Sequence, residues 1–342
     1  MTEPHEMGIV YLRKEREKIQ YTDHQWVFSG SIEKVENVKE GNLVLLLNSK
    51  GETCGWGVYD GGDIAVRIIA WEKPPENLSS FFTEKIKNAF EKRKKLGFPS
   101  PVTNGYRLFF GESDYIPSLI IDVYDELAVI QIQSKGIYSL RHYFIEALEN
   151  LKIARYIFFR YDPLFLSTTS GYSQKKIKGT FCTSARTDYQ IFFENTFPFF
   201  CDFMYGQKTG FFLDQRNNRE FSLRFVKDKR VLDLFSYTGG FTIYALRGGA
   251  SHVVAVDVSQ RALDLLKENA KINQVRNYTT IQGEVKYFLK TCNEKFDVII
   301  VDPPAFAKHI SHVRKAYRAY LNVNMRALKL LNKGGVMFTF SC

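Results

Sequence analysis

The sequence predicts an α/β protein in which a parallel sheet with crossover helices follows a small β-barrel and an α+β region. Short apolar runs separated by glycines fill residues 8–72, and a helical stretch with several strand-like runs fills residues 78–190. From about residue 195, strand-like and helical patterns alternate. Short strands with frequent turns favour a barrel, whereas strand–helix–strand alternation favours a parallel sheet. We therefore predict three domains, over residues 1–75, 76–190 and 191–342.

Composition indicates a globular protein, and its excess of positive charge allows two interpretations. Hydrophobic residues make up 45% of the 342 residues and charged residues 25%, as in ordinary globular proteins. The net charge is +10, and residues 191–342 alone carry 22 Lys and Arg against 13 Asp and Glu, a net +9. Because lysine and arginine neutralise phosphates, nucleic acid is one interpretation of this excess. General solubility is the other.

The cysteines and the termini bear on location. Five cysteines, an odd number, have neither metal-site nor disulfide spacing, so we expect a reducing compartment and no bound metal. The N-terminal residues do not resemble a secretory signal, and no segment has the length and apolarity of a membrane span. We expect a cytoplasmic protein that does not contact membranes.

The first two regions show the local patterns from which the barrel and the α+β region are predicted. The run "GNLVLLLNSKGETCGWGVYDGGDIAVRIIAW" (41–71) has the spacing of short strands. In "LSSFFTEKIKNAFEKRKKLG" (78–97), Phe82, Ile86, Phe90 and Leu96 form an apolar stripe with helical periodicity. The runs "RLFF", "SLIIDVY" and "LAVIQIQ" then read as strands.

The stretch "RVLDLFSYTGGFTIYAL" (230–246) predicts a buried strand at 231–235, a tight turn and a helix. In α/β sheets, nucleotide-like ligands bind at such a strand end, over the start of the helix. Phe235 and Tyr237 replace glycines of the dinucleotide fingerprint, leaving Gly239 and Gly240. This argues against a pyrophosphate and for S-adenosylmethionine, whose cationic end Asp233 could approach. A turn that uses its glycines only for packing is the alternative. The candidate cofactor-binding residues of this stretch are Asp233, Phe235, Ser236, Tyr237, Gly239 and Gly240.

Two further strands bring acidic residues to the same edge. "HVVAVDVSQRALDLLKENAKIN" (252–273) is a strand that ends in Asp257, followed by an amphipathic helix that Ser259 can cap. A carboxylate at this position can accept the ribose hydroxyls of a cofactor, or Asp257 could itself cap the helix. "YTTIQGEV" (278–285) ends near Glu284, which could accept from an adenine amine or lie in solvent.

The fourth strand carries the strongest local signal, "KFDVIIVDPPAFAK" (295–308). The apolar residues 298–301 bury the strand, and Asp302, Pro303 and Pro304 follow at once. The two prolines end the strand and remove two backbone donors, so that carbonyl groups and the Asp302 carboxylate face the ligand cleft. Phe306 can stack on a planar base. A turn with a purely structural role is the alternative.

These residues carry a family resemblance. Residues 206–342 resemble class I S-adenosylmethionine-dependent RNA methyltransferases, and more closely the large-subunit rRNA cytosine-C5 methyltransferases with an N-terminal PUA domain (the RlmI-type family). The matching segments are "GQKTGFFLDQRNNR", "VLDLFSYTGGF", "VDVS", "DPPAF" and "FTFSC". Residues 8–72 resemble the PUA domain, and residues 107–131 the middle α+β domain. The resemblance implies a Rossmann-like catalytic domain, S-adenosylmethionine as cofactor and RNA as substrate.

The resemblance also assigns catalytic roles. Cys342 becomes the nucleophile that adds to carbon 6 of a cytosine, and Asp302 hydrogen-bonds the base. Without the resemblance, a cysteine that ends an apolar strand is more simply a core residue. In "CDFMYGQKTGFFLDQRNNR" (201–219), the resemblance places Thr209 over the cofactor, while Lys208 and Arg216 could contact RNA phosphate. Pro303, Pro304 and Phe306 complete the predicted substrate-binding residues.

Other functions and features stay open. Methylation of an exocyclic purine amine uses a similar acid-Pro-Pro-aromatic turn and needs no thiol. A non-catalytic RNA-binding protein that uses its PUA-like domain would bind no cofactor. Chains of the resembled family continue past the cysteine, so we expect a third domain shortened at its C-terminal end. A homodimer is left open.

Overall fold

The computed structural model describes residues 7–21, 24–160, 179–181, 189–307 and 312–341, with side chains left undescribed at 18, 20, 21 and 179–181. The chain divides into two compact units, Met1–Phe192 with Cys201–Gly210 and Phe193–Phe200 with Phe211–Cys342. The predicted domain boundaries at residues 75 and 190 stay predictions. Cys342, the predicted nucleophile, lies outside the described residues.

The first sheet of the first unit is six-stranded and corresponds to the predicted β-barrel. Its strands are β1 Gly8–Leu12, β2 Trp26–Phe28, β3 Ile32–Glu36, β4 Leu43–Leu47, β5 Thr53–Tyr59 and β6 Ile64–Ala70. Their spatial order is β2-β6-β5-β4-β1-β3. Alternate residues of β1 and β4 point into one core, where Val10, Val44 and Ile68 are fully buried. This alternation is the period-2 pattern of a half-buried strand.

A second sheet in the first unit corresponds to the predicted α+β region. Its strands are β7 Gly105–Phe110, β8 Leu119–Tyr124, β9 Leu127–Ile132, β10 Tyr156–Arg160 and β11 Gly179–Phe181, in the order β11-β10-β9-β8-β7. The helices of this region are α1 Leu78–Lys95, α2 Lys135–Ser139 and α3 Arg141–Asn150.

Helix α1 confirms most of the predicted stripe and corrects its end. Asn77 caps the helix by accepting from the Ser80 amide, and Phe82 and Ile86 are fully buried. Leu96 is 72% exposed, so its assignment to the stripe was wrong. The helix ends at Lys95, and Leu96 is the C-cap residue before Gly97, whose φ is +85°. Its side chain therefore leaves the helical face.

The second unit contains the predicted parallel sheet. Strands β12 Gln190–Glu194 and β13 Phe197–Cys201 first form a two-stranded sheet. The five-stranded sheet consists of β14 Arg230–Leu234, β15 His252–Asp257, β16 Tyr278–Gln282, β17 Phe296–Val301 and β18 Leu331–Thr339. Its order is β16-β15-β14-β17-β18, and all four pairings are parallel. The carboxyl ends of these strands therefore meet at one edge.

Helices connect the strands of the parallel sheet, as alternation predicted. The connecting helices are α5 Gly240–Arg247, α6 Gln260–Ile272, α7 Val285–Thr291 and α8 Val313–Leu330, and a further helix, α4 Arg216–Ser222, precedes β14. One apolar cluster joins β17 to Leu289 and Leu330, and another joins it to Phe241 and Ala245. Because two clusters cover the central strands, those strands read as continuous apolar runs. Among the described helices, none combines the length and apolarity needed to cross a bilayer.

Gly239, just before α5, allows the chain to pack closely against Leu266 of α6. Its φ is +83°, and a Cβ atom would lie 2.4 Å from Leu266 Cγ. Gly239→Ala is therefore expected to destabilise the second unit by about 2–4 kcal/mol, through backbone strain and overpacking. Hydrogen exchange of the β14 and β15 amides under increasing urea measures this change. Gly283→Ala is the control, because no atom lies within 4 Å of its added Cβ. Equal effects of the two substitutions would contradict the packing argument.

Candidate cofactor and catalytic site

The turn after β14 forms the centre of the candidate site. Phe235, Tyr237 and Gly239 adopt positive φ angles of 63°, 48° and 83°. The amides of Phe235 and Ser236 donate to the Val256 carbonyl at 2.9 and 3.1 Å, and the Gly239 amide donates to the Ser236 carbonyl at 2.8 Å. Phe235 and Tyr237 occupy positions where the dinucleotide-binding fingerprint has glycines. Both have positive φ angles, the conformation that glycine adopts most easily. The surrounding hydrogen bonds offset that strain.

Asp257 ties this turn to the adjacent strand and helix. Its Oδ2 accepts from the Tyr237 amide and its Oδ1 from the Ser259 amide, both at 2.9 Å. The Ser259 side chain caps α6 by accepting from the Ala262 amide at 3.2 Å, which confirms the predicted cap. Each carboxylate oxygen has a second lone pair. Asp257 can therefore hold the turn and still accept hydroxyl groups of a ligand.

Asp233 is a buried carboxyl group at the end of β14. It is 1% exposed, and its Oδ2 accepts from Thr242 Oγ1 at 2.6 Å. Burial raises its pKa to about 7, with additions from Asp302 and Asp257, while the Thr242 hydrogen bonds oppose the shift. A neutral carboxyl group here costs less desolvation than a carboxylate. A cation placed beside it would favour the ionised form.

Asp302 stands where β17 ends, next to the first strand of the sheet. Its amide reaches the Leu234 carbonyl at 3.4 Å, and its side chain is partly exposed. Burial raises its pKa to about 6, Asp214 adds to the shift, and Arg219 and a hydrogen bond from Gln215 oppose it. Near neutral pH this carboxyl group can therefore gain or lose a proton readily.

Gln215 and Asn218 complete the surroundings of Asp302, and the sequence interpretation missed both. Gln215 Nε2 donates to Asp302 Oδ2 at 3.1 Å, and Asn218 Nδ2 donates to Gln215 Oε1 at 2.7 Å. The second bond fixes which end of the Gln215 amide faces Asp302. The signal available in the sequence was the i, i+3 spacing of the two amides at the start of α4.

Arg219 packs against the end of the turn, next to Gly240. Its guanidinium forms two hydrogen bonds with Glu194, at 2.8 and 2.7 Å, and both side chains are at most 3% exposed. A Cβ atom on Gly240 would lie 3.2 Å from Arg219 Cδ and Nη1. Gly240 is therefore required for close packing against Arg219. Because Arg219 is buried in this ion pair, it does not face an RNA phosphate.

A cavity of about 570 Å³ opens beside the turn. Residues that follow four of the strands reach it, namely Phe235, Val258, Glu284 and Phe306. Its walls are largely apolar, and Glu284 is the acidic residue of its lining. The basic residues of the lining come from α7 and α8 and are Lys286, Lys290, Lys315, Arg318 and Arg326. The cavity therefore combines apolar walls, one carboxylate and a positive rim.

Several predicted side chains lie at the edges of this arrangement. The Phe306 ring is 4.6 Å from the Tyr320 ring and 6.4 Å from the Phe235 ring, measured between centroids. Pro303 is buried and Pro304 is exposed. The structure thus brings the predicted residues of four strand ends to one edge of the second unit.

Two predicted residues, Lys208 and Thr209, belong to the first unit. Thr209 is fully buried, and its hydroxyl lies 2.5 Å from Asp122 Oδ2 and 2.9 Å from the Tyr124 hydroxyl. Arg216, at the start of α4, is half-buried, and burial lowers its pKa. Among the described residues, no group of three or more His, Cys, Asp or Glu could hold a metal ion.

Comparison with known proteins decides the family. Residues 181–342 match the family model described as S-adenosylmethionine-dependent methyltransferase, and residues 10–71 match the PUA-like domain. The ribosomal RNA large subunit methyltransferase I of Aeromonas salmonicida is 38% identical over 340 residues, which cover 97% of this chain and 85% of that protein. The Escherichia coli protein of the same name is 35% identical over 345 residues, covering 97% and 84%. The chain belongs to this family.

Solved structures agree on the fold of this family member. A methyltransferase complexed with SAH has a TM-score of 0.79 at 22% identity, over 96% of this chain and 84% of that one. A SAM-dependent methyltransferase from Streptococcus mutans has a TM-score of 0.78 at 21% identity, again over 96% of this chain and 84% of that one. The predicted family, the predicted fold class and S-adenosylmethionine as cofactor are confirmed. The chain is an S-adenosylmethionine-dependent methyltransferase.

The carboxyl groups predict how pH affects cofactor binding. S-adenosylmethionine carries a sulfonium cation that its product S-adenosylhomocysteine lacks, and ionised Asp233 and Asp302 favour a cation. Their pKa values of about 7 and about 6 mean that both ionise as pH rises toward 8. The affinity for S-adenosylmethionine relative to the product should therefore increase ~10-fold between about pH 5 and pH 8. Isothermal titration with both compounds measures this ratio. Asp233→Asn should reduce the dependence to the part that Asp302 causes, and a ratio independent of pH in the unmodified chain would exclude the electrostatic role.

Gln215 predicts a second pH effect. Gln215→Leu removes a hydrogen bond that lowers the pKa of Asp302, so that pKa should rise. We expect the acidic limb of the kcat/KM profile to move upward by about 1 pH unit. Steady-state methylation rates between pH 5 and pH 9 test this. Asn217→Ala, an exposed neighbour, should leave the limb in place. If Gln215→Leu also leaves it in place, Asp302 does not control the profile.

Proposed function

We propose that this chain transfers a methyl group from S-adenosylmethionine to carbon 5 of a cytosine in large-subunit ribosomal RNA. The observation that carries the proposal is the cluster of Asp233, Asp257 and Asp302 around one strand edge beside an apolar cavity. It occurs in a chain whose relatives are named ribosomal RNA large subunit methyltransferase I. The odd number of cysteines supports a cytoplasmic location. A homodimer stays a prediction.

The residues at the strand ends fit the chemical groups of the cofactor. Asp257 has lone pairs left to accept the ribose hydroxyls, and Glu284 at the cavity can accept from the adenine amine. The apolar walls of the cavity suit the faces of the adenine ring. Asp233 and Asp302 suit the cationic end of the cofactor, since both are carboxyl groups whose ionisation a nearby cation favours. The cofactor supplies an electrophilic methyl group.

The cations around the cavity support RNA as the substrate. Lys286, Lys290, Lys315, Arg318 and Arg326 belong to one lining, and basic side chains at this density attract a polyanion. Carbon 5 is accessible only when the base is turned out of its stack. Single-stranded or loop RNA is therefore the proposed substrate, with Phe306 available to stack on a planar base.

The proposed chemistry requires a thiolate. Cys342 Sγ adds to carbon 6 of cytosine, which makes carbon 5 electron-rich enough to take the methyl group. A base then removes the proton from carbon 5, the double bond between carbons 5 and 6 re-forms, and the thiolate leaves. Asp302 hydrogen-bonds N3 or the exocyclic amine, and in its protonated form it can donate its proton to N3 as negative charge builds up there during the addition. The Asp302 pKa of about 6 allows both the protonated and the ionised form near neutral pH.

Two observations support Cys342 as the nucleophile. The Phe340 amide donates to the Val301 carbonyl at 2.9 Å, so the chain two residues before Cys342 is bonded to the residue that precedes Asp302. Burial raises the pKa of the Cys54 and Cys201 thiols, which disfavours their thiolates. Methylation of an exocyclic purine amine remains the second candidate, because the Asp302-Pro303-Pro304 turn also suits an amine and needs no thiol.

A trapping experiment distinguishes the two reactions. RNA that contains 5-fluorocytidine cannot lose fluorine from carbon 5, so the thiolate stays bound to carbon 6. We expect the unmodified chain to form a covalent adduct, and Cys342→Ala to form none and to lose ~10³-fold or more in methylation rate. Gel shift under denaturing conditions and mass spectrometry of the methylated nucleoside measure both results.

The controls separate catalysis from cofactor binding. Cys292→Ser changes a half-buried cysteine at the end of α7 and should keep the adduct. Cys342→Ala should still bind S-adenosylmethionine in isothermal titration. Methylation that survives in Cys342→Ala would rule out the carbon 5 reaction and favour the amine. If the unmodified chain binds S-adenosylmethionine but methylates no RNA, the proposed function is wrong.

A further inference from the structure

An aromatic row lies on an edge strand of the first unit. His24, Trp26 and Phe28 alternate along and just before β2, which is the outermost strand of its sheet. Residues i, i+2 and i+4 of an extended chain project to one face. The ring centroids of Trp26 lie 5.7 Å from those of His24 and 6.5 Å from those of Phe28. Phe28 is 47% exposed, so the row presents aromatic surface to solvent.

A second aromatic pair adjoins this row. Phe110 and Tyr115 flank the 3₁₀ turn Gly111–Asp114, and each is 47% exposed. Trp26 Nε1 donates to Glu112 Oε1, within that turn, at 2.8 Å. This bond joins the row on β2 to the turn between β7 and β8. We call His24, Trp26, Phe28, Phe110 and Tyr115 the aromatic surface.

Cations accompany the second pair. The Arg107 guanidinium lies 5.0 Å from the Phe110 ring centroid. The ammonium groups of Lys85 and Lys92 lie 5.3 and 6.0 Å from the Tyr115 ring centroid. These distances are those of cation–π contacts, which hold long basic side chains against rings. Arg107 also forms an ion pair with the buried Asp122, and Lys92 with the buried Asp114. The surface therefore combines exposed rings with basic side chains whose charge is partly neutralised.

Of the neighbouring acidic groups, Asp114 is neutralised by ion pairs, whereas Glu112 keeps its charge because its partner, the Trp26 indole, is neutral. Asp114 is buried and forms ion pairs with Arg93 at 2.6 Å and with Lys92 at 3.3 Å. Glu112 accepts a hydrogen bond from Trp26 Nε1. Tyr115 follows the turn with a φ of +66°, a conformation in which a tyrosine is uncommon. Its ring is thus held outward at the cost of backbone strain. The bond of the Tyr115 amide to the Glu112 carbonyl, at 3.2 Å, and the contacts of the ring with Lys85 and Lys92 offset part of this strain. The exposed part of the ring remains available to a ligand.

We propose that the aromatic surface binds a single-stranded segment of the RNA substrate other than the nucleotide that is methylated. Aromatic rings stack on bases of any sequence, and adjacent cations neutralise the phosphates between them. This inference rests on the proposed function, which makes RNA the substrate. The occupant is RNA rather than a protein, because lysines and an arginine flank the rings where an aliphatic core would be expected for a protein.

The test measures binding of a fluorescently labelled single-stranded RNA by anisotropy. We expect Phe110→Ala and Tyr115→Ala each to weaken binding about 5- to 100-fold, and Phe110→Trp and Tyr115→Phe to retain it because a ring remains. Lys85→Gln should reduce the salt dependence of binding by about one phosphate contact. Leu96→Ala, an exposed aliphatic change in the same unit, should change nothing. Saturating RNA should restore kcat in the alanine variants, since only KM is affected.

The outcomes separate this inference from the proposed function. Thermal unfolding and S-adenosylmethionine titration of each variant establish that it is folded. If the unmodified chain methylates RNA but Phe110→Ala and Tyr115→Ala bind RNA normally, the aromatic surface has no RNA role and the inference is overturned. Normal RNA binding with lost binding to a ribosomal protein would overturn it in favour of a protein partner. If the unmodified chain methylates no RNA, the proposed function fails first.

Discussion

The Asp257 carboxylate holds together the edge on which the candidate site depends. It accepts from the amides of Tyr237 and Ser259, which belong to the turn after β14 and to the start of α6. Together with the bonds of the Phe235 and Ser236 amides to the Val256 carbonyl, these two bonds offset the strain of the positive φ angles of Phe235 and Tyr237. Asp257 is therefore a structural residue and a candidate ligand-binding residue at once. Replacing it with alanine would disturb the turn as well as any bond to ribose.

A second constraint is electrostatic. Asp233, Asp257 and Asp302 lie close enough that each of the other two raises the pKa of Asp233, and burial raises it further. The repulsion among these carboxylates is unfavourable in the absence of a cation, and a bound cation reduces it. The positive charge of the region is placed elsewhere, on α7 and α8 around the cavity. The carboxyl groups that suit a cation and the basic side chains that suit an anion thus lie in different parts of one unit.

The first unit contributes in another way. Its described residues include the Thr209–Asp122–Tyr124 hydrogen bonds, which are buried, and an exposed aromatic surface near the turn Gly111–Asp114. Buried polar groups of this kind specify packing, whereas exposed rings beside cations suit binding. The unit therefore has both a polar interior that orders Thr209 and an exposed surface of rings and basic side chains.

The sequence by itself determined the order of strands and helices, the parallel sheet and the acidic residues at three strand ends. Each of these follows from local signals, such as apolar runs that end in Asp257 or in Asp302-Pro303-Pro304, which need no knowledge of distant residues. It also determined the family. Only the tertiary structure decided that Gln215 bonds Asp302, 87 positions away, and that Arg219 is buried against Glu194.

Only the tertiary structure, too, assigned Thr209 to the first unit and left Leu96 in solvent. Such pairings depend on which elements pack together, and burial of a charged or polar side chain depends on partners that local periodicity does not encode. The positive φ angles of Phe235 and Tyr237 belong to the same class, because residues with side chains adopt them only where the surrounding hydrogen bonds require it.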